Sequence, residues 1–354
     1  MFSKALRLAA LGVSLCVLSA CGANILAGAL SYSPSAKAVL ASYALAGDTG
    51  PIHDPSVIRQ GKMYYAFSSD WPGQPAGFLH IRCSRDKGTW TACGSVFGAI
   101  PAWVRKAVPN AQYLWAPDIS YFSGTYHLYY AVSTAGSQRS VIGLVTNATL
   151  NPAEAAYRWI DRGAVLHSKP GDDFNAIDPN IFVDRDGSVW LTYGSYWSGI
   201  KQRAIDPATG MLSTADVTRY DLARRPGVPG DPIEGASLIR HGDFYYLFVS
   251  IDHCCDPSPG TDDYKEAVGR SDSPHGPFLD DEGTPMMHGG GTVIITGSTV
   301  GNAAWSAPGG ATVWIDPQND ESLIVFHALK TADNDTPHLW LKSLRWDNDW
   351  PVVQ

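Results

Sequence analysis

The sequence predicts an all-β protein, a five-bladed β-propeller, and three observations carry that prediction. A hairpin-like motif recurs five times at near-constant spacing, and no long amphipathic helical pattern competes with it. Turn formers are abundant, with 35 Gly and 24 Pro in 354 residues. The 12 Trp and 16 Tyr suit short strands and flat surfaces on which sugar rings stack. An apolar fraction of 45% against 17% charged residues excludes disorder and permits one large core. With 26 Lys and Arg against 34 Asp and Glu, the net charge of −8 gives no basic footprint and argues against nucleic acid as a partner.

Taken in chain order, the first element is an export signal. Lys4 and Arg7 precede an apolar run from Leu8 to Leu18 and the small residues Ser19 and Ala20, so residues 1–20 read as a signal peptide. Leu18-Ser19-Ala20-Cys21 resembles the bacterial lipobox, in which Cys21 carries lipid and becomes the mature N-terminus, against ordinary cleavage with an incidental cysteine. The run is too short for a spanning helix, so membrane contact would come only through that anchor. Residues 21–47, rich in Ala, Ser, Gly and Leu, read as a tether, and 48–354 as the propeller.

Repeats begin at Asp54, Asp118, Asp178, Glu234 and, more degenerately, Gly310, with separations of 64, 60, 56 and 76 residues. Each is an apolar strand, a Gly or Asp turn and an aromatic, β-branched strand, as in Asp54-Pro-Ser-Val-Ile-Arg-Gln-Gly-Lys-Met-Tyr-Tyr-Ala-Phe-Ser68. The spacing leaves room for a four-stranded blade. A two-sheet sandwich is the rival architecture and does not explain the regular recurrence.

Inner strands of a propeller start near its axis, so equivalent repeat positions converge on one funnel. Four of the five starts are acidic: Asp54, Asp118, Asp178 and Glu234. Crowded carboxylates shift one another's pKa values, which points to acid–base chemistry; backbone capping in Asp-Pro turns is the plainer reading of any single one. Trp71, Trp115, Tyr196 and Trp197 flank the repeats as candidate sugar platforms, or else pack between blades. Cys83 and Cys93 bracket a turn and are expected to form a disulfide; adjacent Cys254 and Cys255 suggest a vicinal one, with zinc as the weaker alternative.

The motifs His53-Asp54-Pro-Ser-Val, Leu114-Trp-Ala-Pro-Asp118-Ile, Ala176-Ile-Asp178-Pro-Asn-Ile-Phe, Tyr193-Gly-Ser-Tyr-Trp-Ser-Gly-Ile200, Ile233-Glu234-Gly-Ala-Ser and Ser250-Ile-Asp-His-Cys-Cys255 occur in an order that resembles glycoside hydrolase family 43, and most its endo-1,5-α-L-arabinanases. The resemblance covers residues 48–350 and implies a five-bladed propeller that cleaves arabinan with inversion. By position it implies Asp54 as general base, Glu234 as general acid and Asp178 as the carboxylate that orients the acid and keeps its pKa high. Asp118 receives no proton-transfer role and is expected to hydrogen-bond near the site. It joins Trp71, Trp115, Ser195, Tyr196, Trp197 and His253 as a candidate substrate contact.

No cofactor is implied for the chemistry. Many such enzymes hold calcium near the axis through the His of a Gly-Pro-Gly-His motif; here the fifth blade reads Ala307-Pro-Gly-Gly310, which leaves His327 as candidate ligand or as a structural histidine. Segment 253–292 is the expected end wall of the groove. The partner is arabinan or an arabino-oligosaccharide, the chain is expected to act as a monomer, and the place of action is periplasm, cell surface or medium. Exo-acting arabinofuranosidases and xylosidases, fructan-cleaving propellers and an inactive glycan-binding lipoprotein are the alternatives; the fructan group's Arg-Asp-Pro and Glu-Cys motifs are missing, and all three carboxylates are present.

Overall fold

The computed structural model describes residues 43–254, 263–301 and 304–354. The signal segment, Cys21, most of the expected tether and Cys255 lie outside these residues, as does any pairing of Cys254 with Cys255. Among the described residues no helix is long and apolar enough to cross a membrane.

The strands form five sheets, each the product of one repeat, arranged as a five-bladed propeller. Blade one holds β1 (Ala46–Gly47), β2 (His53–Gln60), β3 (Met63–Ser69), β4 (Phe78–Ser84) and β5 (Thr89–Phe97). Blade two holds β6 (Trp115–Phe122), β7 (Thr125–Val132), β8 (Ser140–Asn147) and β9 (Ile160–Ser168). Blade three holds β10 (Asn180–Val183), β11 (Val189–Tyr193), β12 (Ile200–Ile205) and β13 (Arg219–Ala223). In blade four are β14 (Ile233–His241), β15 (Phe244–Ile251), β16 (Lys265–Ser271) and β17 (Thr292–Ile295). In blade five are β18 (Trp305–Ile315), β19 (Ser322–Lys330), β20 (Thr336–Asp347) and β21 (Trp350–Val353). The inner strands β2, β6, β10, β14 and β18 each touch the next round the axis, and β18 returns to β2.

Consecutive blades enclose an apolar cluster. Ile58 and Phe67 meet Leu128 and Tyr130 between blades one and two, and Tyr246 and Phe248 meet Val313 and Phe326 between blades four and five. Strands buried on both faces need apolar residues at successive positions, which is why Tyr64-Tyr65-Ala66-Phe67 lacks polar alternation. In the inner hairpin of blade two, Ser123 and Gly124 carry φ of 49° and 76°, the type I′ geometry that matches strand twist. A disulfide joins Cys83 to Cys93.

The folded body extends past the boundary expected at residue 48. Tyr43 and Leu45 pack on Ile52, Val57 and Leu339, and β1 pairs with β5. The Ile52 N–H donates to Pro337 O and the Leu339 N–H to Thr49 O, both at 2.8 Å. Residues 43–52 therefore tie the first blade to the last, the join that closes the ring.

Strand register also revises the repeat alignment. Four inner strands break their pairing where the chain kinks, between His53 and Ser56, Trp115 and Asp118, Glu234 and Ser237, and Gly309 and Thr312, with a second break in β18 between Ser306 and Gly309; β10 begins at Asn180, just past the equivalent point. Asp54, Ala116, Asp178, Gly235 and Gly310 sit at these kinks with φ of 47°, 40°, 53°, 57° and 60°. Asp118 is thus two residues beyond the position of Asp54 and Asp178, and Glu234 one residue before it. Matching acid to acid in the sequence misses this because a bulge is a backbone event that side-chain type does not mark.

Two residues past each kink, Ser56, Asp118, Asn180, Ser237 and Thr312 form a girdle. Ser56 Oγ accepts the Ile119 N–H, Asp118 Oδ2 the Ile181 N–H, Asn180 Oδ1 the Leu238 N–H and Ser237 Oγ the Val313 N–H, at 2.8–3.2 Å. The Thr312 hydroxyl closes the circle by donating to Pro55 O at 2.8 Å. Each side chain satisfies a buried backbone group of a neighbouring blade, and the five bonds hold the kinks at fixed positions round the axis.

Candidate active site

The residues before four of the five kinks, His53, Trp115, Ile177 and Glu234, line a cavity of about 810 Å³. Tyr196 and Trp197, both in left-handed backbone, complete an aromatic wall with Trp115. Below, at the axis, Asp54 and Asp178 share a cavity of about 30 Å³, room for roughly one water molecule. The structure thus brings the three expected carboxylates to one funnel, on two successive rows of the inner strands.

Their surroundings differ. Asp54 Oδ2 lies 2.7 Å from His53 Nδ1 and accepts the Ser69 hydroxyl at 2.7 Å, while His327 Nδ1 is 3.7 Å from Oδ1. Burial works to raise this carboxyl, but the attraction and hydrogen bond of His53, the attraction of His327 and the Ser69 bond outweigh it and hold it at about 2. Glu234 is met by neutral donors: the Ser195 hydroxyl at 2.7 Å on Oε2 and the Tyr264 hydroxyl at 3.0 Å on Oε1. Burial raises Glu234, Ser195 and Tyr264 oppose the rise, Asp54 reinforces it, and the net shift is upward. Tyr264 stays protonated as a donor because burial, Glu234 and Asp54 push it up.

Asp178 Oδ2 accepts the N–H of Gly235, the residue after Glu234, at 3.1 Å. Burial pushes Asp178 well above the usual carboxylate range, with repulsion from Glu234 and Asp54 added. Three negative charges cannot all persist in this funnel, and Asp178 and Glu234 titrate as a pair that keeps a proton beside an ionised Asp54.

The model for glycosyl hydrolases family 43 matches residues 49–351. The chain belongs to that family. It is 37% identical over 327 residues to the extracellular endo-α-(1→5)-L-arabinanase 1 of Bacillus subtilis (strain 168), covering 92% of this chain and 94% of that protein. It is 38% identical over 333 residues to the extracellular exo-α-(1→5)-L-arabinofuranosidase ArbA of Cellvibrio japonicus (strain Ueda107), with 90% and 91% covered. The Cellvibrio cellulosa α-L-arabinanase solved with arabinohexaose superposes with a TM-score of 0.77 at 35% identity, covering 86% of this chain and 96% of that one.

Within this family 43 site, several expected contacts fall elsewhere. Asp118 is buried in the girdle, where Ser56, Asn180 and Ile181 donate to it, and it is a brace between blades rather than a substrate contact. Trp71 does not line the cavity but stacks on His53, ring centroids 5.3 Å apart. His253 is half exposed beside Asp263 at 3.4 Å, off the cavity. Ser195 lines the cavity yet spends its hydroxyl on Glu234. The cavity walls come from residues 133–137 and 224–231; of segment 253–292, only Cys254 lines the cavity among the described residues.

His53, Ser69 and Tyr264, which tune the two carboxyls, received no role from the sequence. The signal for His53 was its place next to Asp54; nothing in the sequence marks Ser69 or Tyr264.

Calcium does not fit His327. The ring is fully buried, its Nδ1 accepts the Asp54 N–H at 3.3 Å, and it stacks on His53 at 3.8 Å. Burial and His53 hold it well below the ordinary histidine range against the pull of Asp54. The ligand atoms that cluster with it belong to His53 and Cys254, nitrogen and sulfur rather than the oxygen shell calcium takes.

Proposed function

We propose that this family 43 chain is an inverting, endo-acting hydrolase of 1,5-linked α-L-arabinan, with Glu234 as general acid, Asp54 as general base and Asp178 as the carboxyl that orients the acid and holds its proton. What supports the reading is the split in ionisation: one carboxyl held at about 2 among histidines and a hydroxyl, and another pushed up among neutral donors. In the single displacement, Asp54 takes a proton from water as the water attacks the anomeric carbon, and the glycosidic oxygen leaves with the proton of Glu234. Solvent then restores both groups. The step moves protons and no electrons, so it requires no cofactor.

Trp115, Tyr196 and Trp197 would stack on arabinose rings along a cavity of about 810 Å³, larger than a single pentose needs. The polymer is neutral, which suits a protein of net charge −8. Both relatives named above are extracellular by name, in keeping with export through residues 1–20; acylation at Cys21 and a monomeric state complete the proposal. The exo-acting reading stays in view because the Cellvibrio japonicus relative is as similar as the Bacillus subtilis one.

The test is the product profile on linear 1,5-α-L-arabinan over time. Arabino-oligosaccharides of mixed length at early times are expected. Release of a single short product from the outset would replace the endo reading with the exo one, and no hydrolysis would refute both.

A further inference from the structure

Behind Glu234 lies a second carboxyl that the acid–base step does not use. Glu234, Ser250 and Glu266 stand opposite one another across β14, β15 and β16. Glu266 is fully buried. Its Oε1 accepts the Ser250 hydroxyl and, at 3.2 Å, the Ala311 N–H, while Ser250 Oγ accepts the Gly310 N–H at 2.9 Å. Both backbone donors belong to the kink of blade five, so the pair reaches across the blade boundary.

That kink is where the surroundings of acid and base meet. A Cβ on Gly309 would lie 2.2 Å from the Tyr264 ring, and a Cβ on Gly310 would lie 2.4 Å from Asp54 Oδ1 and 2.8 Å from His327 Nδ1. Tyr264 in turn donates to Glu234. One three-residue segment therefore presses on the acid's partner with Gly309 and on the base with Gly310, and Glu266 with Ser250 holds its next two N–H groups. Oε2 of Glu266 has no hydrogen-bond partner among the described residues. An anion in that position would be costly. Burial pushes the group up to about 8, against the Ser250 and Ala311 bonds and with help from Glu234, so it is protonated at neutral pH.

We propose that Glu266 is a positioning residue for the hydrolysis: a buried carboxyl that, with Ser250, clamps residues 309–311 between Tyr264 and Asp54 and so fixes the acid relative to the base. The inference rests on the assignment of Glu234 and Asp54 made above. Single displacement depends on the separation of the two carboxyls, and a shift of about 1 Å costs on the order of 100-fold in rate.

The experiment measures kcat and KM of Glu266→Gln, Glu266→Ala and Ser250→Ala on an arabino-oligosaccharide. The same variants are measured on an aryl arabinotrioside whose leaving group needs no protonation, with Glu234→Gln alongside and thermal unfolding as the folding control. Glu266→Gln still accepts both bonds and is expected to keep kcat within about twofold. Glu266→Ala and Ser250→Ala are expected to lose about 10- to 100-fold in kcat on the oligosaccharide, with KM little changed, and less than about tenfold on the aryl substrate. A Gln variant as poor as Ala, an Ala variant with full kcat, or equal losses on both substrates would overturn the inference. Should Glu266→Ala fail to fold, Ser250→Ala carries the same readout. An active Glu234→Gln would remove the acid assignment and this inference with it, whereas an inactive one beside an untouched Glu266→Ala removes only this inference.

Discussion

Asp54 and Glu234 sit in one funnel, one residue out of step on equivalent strands, yet the protein shifts their carboxyls in opposite directions. Around Asp54 stand two imidazoles and a hydroxyl; around Glu234 stand two hydroxyls and nothing cationic in direct contact. Burial is the leading influence that raises each, and the partners of Asp54 outweigh it whereas those of Glu234 do not. A carboxyl's role in catalysis is set by the neighbours that the inner strands bring, more than by depth in the funnel.

The sharpest way to break this comparison is to remove one carboxyl at a time. Glu234→Gln and Asp54→Ala are each expected to lower kcat on arabinan by about 10²–10⁴-fold. They should part company on rescue: the Glu234 variant recovers on an aryl arabinoside with a good leaving group, and the Asp54 variant recovers with azide, which attacks without a base. Rescue patterns exchanged between the two would reverse the assignment.

A smaller effect is expected at Asp178. With Asp54 ionised above about pH 2, the working form needs Glu234 protonated, so activity falls on the alkaline side as the Asp178–Glu234 pair loses its proton. Asp178→Asn removes the repulsion that holds that proton. The alkaline limb of kcat/KM should move to lower pH, with a loss of about 10-fold or more at neutral pH. An unmoved limb would show that burial and Asp54, without Asp178, hold the proton on Glu234.

Much of this was legible in the sequence, and the reasons are specific. Five hairpin repeats announced five blades because each blade's inner pair carries the densest aromatic and β-branched run. Asp54 and Asp178 were found because a kinked strand start tolerates Asp in left-handed backbone and because Pro follows each. No acid marks the kink at Ala116 or Gly310, so aligning acid with acid puts Asp118 in the wrong row. Ser69 and Tyr264 were missed for a related reason. Ser69 ends a second strand and Tyr264 immediately precedes a third, and their approach to the carboxyls depends on strand register, which the repeat spacing does not encode. The two glycines of the fifth blade looked like a lost motif, whereas Tyr264 and Asp54 occupy the space that side chains there would need.

Asp118 gives the mildest test of the same contrast, since it is a carboxyl in the girdle and not in the catalytic row. Its three donors, Ile181, Asn180 and Ser56, do not compensate for burial, and the group is pushed up to about 6 from 3.8. A folded-state value above the unfolded one means that its contribution to stability is complete below the unfolded value and is lost as pH rises through about 6. Asn at this position keeps an acceptor for the Ile181 N–H, as Asn180 does for Leu238 in the next blade, and carries no charge to bury. Relative to the unchanged protein, Asp118→Asn should therefore gain stability between pH 4 and pH 8, by about 1–3 kcal/mol across the window, with kcat/KM within about twofold throughout. Thermal unfolding of both proteins over that range decides it. A constant difference in unfolding temperature would mean that Asp118 keeps its charge at no cost, and a large loss of kcat/KM would make it a contact of the site rather than a brace between blades.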